Sequence, residues 1–154
     1  MKIAGGMAAA LAFGGIAVGS ASPASADDLL GTYTMQLGDN TSTWTVTPCA
    51  SDPNQTDFVP CVHVADSGGN FAPWQADARS SVGYWTLAVD RPDAVSCEDG
   101  STLPATVHYW WNPATLEGKA GFFFGGGCGD VPASSLYGPF TLTKTDGPAP
   151  EAQA

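Results

Sequence analysis

Two cysteines, Cys49 and Cys61, bracket the polar segment ASDPNQTDFVP, and His63 stands two residues beyond the second. Those residue types could hold a metal, carry out a thiol–disulfide exchange, or close a disulfide. Structural zinc favours ligands spaced two to four residues apart, and the chain has no C-x-x-C pair. Cys61 with His63 is the best case for a metal, because residues i and i+2 of a strand share a face. Thioredoxin-like redox centres also use a close-set C-x-x-C. A disulfide is therefore the expectation, with no metal and no cofactor. The chain has 4 cysteines, and spacing alone allows three pairings. Cys49 ends one strand-like run and Cys61 begins the next, so a hairpin would join them as Cys49–Cys61. That leaves Cys97–Cys128 as the second pair.

Other chemistry has few places to form. The only histidines are His63 and His108, and no G-x-S-x-G elbow accompanies them. His63 could approach Asp57 or Asp66, but a solvent-facing strand histidine is the simpler reading. His108 lies in an aromatic run, where packing or a rim position is expected. Asp90, Asp93, Glu98 and Asp99 gather around one segment. A glycosidase pair would need a defined gap and a raised pKa on one partner, and a loop cluster of acids is ordinarily just solvated. The expectation is a protein that is not an enzyme.

The aromatic residues are the stronger candidates for a site. Tyr109, Trp110, Trp111, Phe122, Phe123 and Phe124 concentrate in one hairpin. Consecutive strand residues face opposite ways, so Trp110 and Trp111 cannot share a face, and neither can three successive phenylalanines. One face fills a core. The other is either covered or forms an apolar binding patch. Gly125 to Gly127 let the chain turn tightly beside Cys128, and no helix or lysine follows to make a phosphate loop.

Strands must position these residues, because helical periodicity is nearly absent. Tyr33, Met35 and Leu37 alternate with Thr32, Thr34 and Gln36, and Trp44 and Val46 alternate with threonines. Val62 and Val64 oppose His63. Strands are expected over Gly31–Leu37, Thr43–Thr47, Cys61–Val64, Val82–Val89, Ala105–Trp111, Lys119–Phe124 and Tyr137–Lys144, with Trp74–Ala78 ambiguous. Phe140 and Leu142 point inward on the last. The segment DRPDAVSCEDGSTLP reads as a long polar connection. The outcome is an all-β fold, an antiparallel meander of about seven or eight strands forming a small disulfide-stapled barrel, with a β-sandwich as the alternative. Phe58 and Val59 are candidates to cap one end.

The ends indicate the compartment. Met1 and Lys2 precede an apolar, Gly-rich run, and Ala24-Ser25-Ala26 forms an A-x-A cleavage site before Asp27. Residues 1–26 are expected to be a cleaved signal peptide, residues 27–145 a single β domain, and the Pro/Ala-rich residues 146–154 a disordered tail. No transmembrane segment is expected in the mature chain, which would be secreted or extracytoplasmic. The net charge is −10, from 15 acids. Such a surface repels phosphate backbones, so no nucleic acid is expected as a partner.

Several of these pieces occur together: ASADD, GTYTM, WTVTPC followed by CVHV, YWTL, YWWNPATLEG and GPFTLTK. In this combination the chain resembles small secreted mycobacterial and related actinobacterial proteins of uncharacterised function. Similar domains form extracytoplasmic parts of some membrane proteins there, including sensor kinases. The loop between the first two cysteines is longer here than in that group. The resemblance brings no catalytic or ligand residues. The aromatic hairpin, rather than the resemblance, gives the expectation of function: a secreted or envelope-associated, monomeric domain that binds a small apolar ligand or a protein partner. A secreted hydrolase with a carboxylate or His site, or a structural envelope protein, are the alternatives.

Overall fold

Large apolar residues alternate with Thr, Ser and Gln along the first strands, and the period of two puts Tyr33, Met35, Trp44, Val46, Val62 and Val64 on one face. A sheet with one apolar face must bury it. In the computed structural model, which describes residues 25–50 and 59–145, it does so by closing on itself. The strands are β1 (Gly31–Leu37), β2 (Asn40–Pro48), β3 (Cys61–Ser67), β4 (Trp74–Ser81), β5 (Tyr84–Ser96), β6 (Thr102–Trp111), β7 (Glu117–Phe124) and β8 (Ser134–Lys144). Each pairs antiparallel with its neighbour in sequence, and β8 returns to β1, giving a closed barrel rather than a sandwich. The expected tail, all but the last two residues of the expected signal peptide, and Asp57 and Phe58 lie outside the described residues. Val59, at the entry to β3, is 43% exposed.

Two expectations need correction. The connection read as long and polar is mostly strand: Asp90–Ser96 continues β5, and β6 starts at Thr102. Its Pro and acidic residues are tolerated because a bulge between Arg91 and Val95 breaks the register there. Conversely, Val82 belongs to a turn. Val82 and Gly83 both have positive φ, 50° and 81°, which is what a two-residue hairpin turn of the primed type demands. The ambiguous segment at Trp74 is a full strand, β4.

The barrel is not uniform along its axis. β1 pairs with β8 only from Tyr33↔Lys144 to Leu37↔Phe140, and β4 pairs with β5 only over Arg79–Ser81. Strands β5 to β8 therefore run on past β1 to β4 at the end that carries the β3–β4 loop. A short 3₁₀ turn (Ala26–Leu29) covers the opposite end, where Leu29 is buried and its carbonyl accepts a hydrogen bond from the Tyr33 hydroxyl at 3.0 Å.

The interior is filled by rings. Trp44 lies at its centre, within 5.6 Å (centroid to centroid) of Trp74, Tyr109, Trp111 and Phe140. Gly118 makes room for this packing: a Cβ there would sit 2.7 Å from the Phe140 ring and 2.5 Å from the Trp110 carbonyl oxygen.

Both disulfides are present as expected. Cys49–Cys61 closes the β2–β3 connection, and Cys97–Cys128 ties the β5–β6 turn to the β7–β8 loop. They enclose 12 and 31 residues of sequence separation. Loop-closure entropy then predicts a loss of about 3 kcal/mol for the Cys49→Ser/Cys61→Ser pair and about 3.5 kcal/mol for Cys97→Ser/Cys128→Ser. Urea unfolding followed by tryptophan fluorescence measures both. A larger loss for the shorter loop would contradict this ordering.

Candidate functional site

The six aromatic residues singled out from the sequence divide between the faces, as alternation demands. Tyr109, Trp111 and Phe124 are buried in the barrel, and Phe122 faces inward half-buried. Trp110 is half-buried and Phe123 is 40% exposed, both on the outer face. The hairpin is thus half core and half surface.

Strand register extends the outer set beyond the hairpin. Thr86, Trp110, Lys119 and Pro139 form one row across β5 to β8. The next row is Ala88, His108, Gly121 and Tyr137, and the third is Asp90, Thr106, Phe123 and Ser135. The rings touch across these rows: Trp110 to Tyr137 at 6.3 Å, Tyr137 to Phe123 at 5.7 Å, and Phe123 to His108 at 5.2 Å. Gly121 lies beneath them, and a Cβ there would already be 3.0 Å from the Tyr137 ring. Tyr137 and Tyr84 are 61% and 48% exposed. Beside the first row opens a groove of about 750 Å³, with Tyr84, Trp110 and Pro139 among its walls.

Strands β1 to β4 present a different outer surface. Their outward positions carry threonines on β1 and β2, then Cys61, His63, Ala65, Gln75, Asp77 and Arg79. His63 is the one ring among them.

Tyr84, Tyr137 and Pro139 were not singled out from the sequence, although a signal was present. Alternation from inward Phe140 puts Pro139 and Tyr137 outside, and Trp85 inward puts Tyr84 outside.

A second group of residues lies inside the barrel, under the β3–β4 loop. Asp66 and Arg91 are 5% and 4% exposed. Asp66 Oδ2 accepts hydrogen bonds from Ser42 Oγ at 2.5 Å and Trp44 Nε1 at 2.9 Å. Arg91 Nη1 donates to the Tyr109 hydroxyl at 3.3 Å, and its guanidinium lies 4.5 Å from the centre of the Phe71 ring. Asp93, in the bulge, stands 3.8 Å from Arg91 and accepts the Ala72 amide at 2.8 Å. Burial pushes the Asp66 carboxyl above its ordinary value, against the opposing pull of Ser42, Trp44 and Arg91. Burial likewise raises the Tyr109 phenol. This cluster holds the β3–β4 loop onto β5.

The histidines and acids are spread out. His63 does not meet Asp66, which faces the interior. Its Nδ1 lies 2.7 Å from Asp77 Oδ1 and its Nε2 lies 3.2 Å from Gln75 Oε1. Those acceptors, Asp77 foremost, favour the protonated ring and raise its pKa. With both nitrogens facing acceptors, neither points at a nucleophile. Asp90 accepts from Thr106 Oγ1, and hydrogen bonds from the Ser101 hydroxyl and amide hold Asp99 below its ordinary value. The two sulfurs of Cys49–Cys61 lie within 4.8 Å of an Asp77 oxygen. As a disulfide they are not the thiolates that bind metal.

Fold and site together define a closed, eight-stranded up-and-down barrel with two disulfides, a ring-filled interior and an aromatic outer face on one half. No protein-family model matches the chain, and neither a curated protein nor a solved structure does.

The buried Asp66 sets a pH dependence. Because folding raises the Asp66 pKa above about 3.8, the folded state binds more protons than the unfolded one. This group's contribution is full below that pH and declines as pH climbs through the folded value. Asp66→Asn removes that decline. Asp66→Ala leaves Ser42 Oγ and Trp44 Nε1 without their shared acceptor inside the barrel and costs about 1–3 kcal/mol. His63 is partly exposed and has the same sign at higher pH: its contribution is present below about 6.5 and is lost as pH rises through its raised value. Unfolding curves from pH 3 to 9 on wild type, Asp66→Asn and His63→Gln separate the two. A pH profile unchanged by Asp66→Asn would refute the assignment.

Proposed function

We propose that this chain is a secreted or envelope-associated binding domain without enzymatic activity, and that it engages its partner through the outer face of β5 to β8. One observation carries the reading. In a single barrel, one half of the outside is threonine-rich and polar, while the other half holds contacting exposed rings. Connected apolar surface of that kind mark interaction sites on soluble proteins. The ring-filled interior supports the same view, since Trp44, Trp85, Trp111, Tyr109 and Phe140 occupy the space a ligand in the barrel would need. Two disulfides suit an oxidising compartment outside the cytoplasm. Among the described residues no helix is long and apolar enough to cross a membrane.

The test is co-sedimentation of the purified domain with washed, insoluble envelope from the cells that make it. Wild type and Thr45→Ala, on the opposite outer face, are expected to sediment. The Trp110→Ala/Tyr137→Ser variant is expected to stay in the supernatant. Equal sedimentation of all three would defeat the proposal, as would failure of the wild type to sediment.

A further inference from the structure

We infer that the groove beside Trp110 is a subsite for a neutral glycan, an inference that rests on the binding reading above and names its ligand class. The argument begins with the kinds of side chain that point outward. The outward apolar residues of β5 to β8 at the groove and along the ring platform are Tyr84, Trp110, Pro139, Tyr137, Phe123 and His108. The exposed aliphatics Val82 and Leu136 lie in the β4–β5 turn and on the inward phase of β8, outside the groove lining. A partner helix is held by a groove that takes its i, i+3, i+4 and i+7 side chains. A sugar ring instead has a flat face of C–H bonds bearing slight positive charge, and that face complements the negative face of an aromatic ring.

The groove combines this floor with hydrogen-bonding groups at its edge. Tyr84, Trp110 and Pro139 supply the apolar surface, and Glu117, Lys119 and Thr141 line the same groove. Glu117 pairs with Thr141 across β7 and β8, and Lys119 pairs with Trp110 and Pro139, so rim and floor belong to adjacent rows. The Glu117 and Lys119 side chains are exposed and make no side-chain hydrogen bond or ion pair among the described residues. They are free to meet hydroxyl groups, which both donate and accept. At about 750 Å³, the groove is in the range of ~300–1,000 Å³ found for small-molecule clefts. From its Trp110 wall the ring contacts continue to Tyr137 and Phe123, a row long enough to suit a chain of sugars rather than a single one.

Charge narrows the class. The chain carries a net −10, and the groove itself holds one acid and one base. A polyanion such as a uronate or phosphate polymer would be repelled by the whole field. Neutral sugars would not.

Affinity gel electrophoresis tests this directly. The full domain is run through native gels containing a soluble β-glucan, a galactan or an arabinan, with polygalacturonate as the acidic control. Retardation by at least one neutral polymer and none by polygalacturonate is expected. Trp110→Ala should weaken it roughly tenfold, with the circular dichroism spectrum unchanged. Lys119→Ala touches no core contact and should also weaken it, which covers the case in which the tryptophan variant folds poorly. Thr45→Ala should bind as wild type. No retardation by any neutral polymer overturns the inference, and so does retardation indifferent to both groove variants. If the glycan gels fail while envelope sedimentation still depends on Trp110 and Tyr137, the ligand class is wrong and the binding face stands. If both fail, the binding reading falls as well.

Discussion

A carboxylate enclosed among aromatic rings must be satisfied by hydrogen bonds and a nearby positive charge, and Asp66 imposes that constraint on the loop end of this barrel. Ionised groups taken out of water are costly unless both needs are met. Ser42 and the central Trp44 provide the hydrogen bonds, and Arg91 provides the charge. Arg91 is in turn flanked by Tyr109, Phe71 and Asp93. Asp93 reaches its position because the β5 strand bulges after Arg91. The same residue holds the Ala72 amide. One buried charge thereby links four strands and fixes the loop that crosses the end of the barrel.

The rings that enclose Asp66 also decide where binding can occur. Many barrels of this size keep an interior able to hold one small ligand. Here tryptophans fill that space, and the binding face we propose is accordingly on the outside. The sheet accommodates this because its outer face is smooth at the right places. Gly121 lets Tyr137 lie across β7, and Gly118 lets Phe140 press inward from β8. Two glycines on one strand therefore serve opposite faces, one the core and the other the aromatic platform.

Most of the architecture was legible from alternation alone. Tyr33, Met35, Trp44, Val46, Val62, Val64, Trp85 and Leu87 all face inward as their spacing says. The closed meander and the two disulfides follow from short strands, near-neighbour turns and cysteines at strand ends. The misses have a common cause. Polarity at Asp90–Pro104 was taken to mean loop, whereas paired strands beyond the barrel body can carry Pro and Asp on a solvated face. Asp66 and Arg91 fall on inward positions by the same count of two that placed Val64 and Val89. Their charge outweighed their phase, because the partners that let a charged group be buried, Ser42 and Trp44 for Asp66 and Tyr109 and Asp93 for Arg91, are visible only once the strands are placed together. The site was half legible. The hairpin pointed to Trp110 and Phe123, but Tyr137 and Tyr84 join them only through cross-strand register.

The uneven barrel has one further consequence, at the edge of β8. Residues Ser134–Pro139 pair with β7 but extend beyond the last partner on β1. Such an edge invites strand addition from another molecule and, through it, polymerisation. The Leu142 amide bonds to Leu116, on the β7 side, so amides at odd-numbered positions of β8 point the other way. Pro139 is one of these, and it has no N–H to offer. The open edge is interrupted at the residue where β1 stops, next to the rings that must stay exposed. A protein that displays aromatic surface is most at risk of self-assembly there, and this proline removes a hydrogen bond that assembly would use.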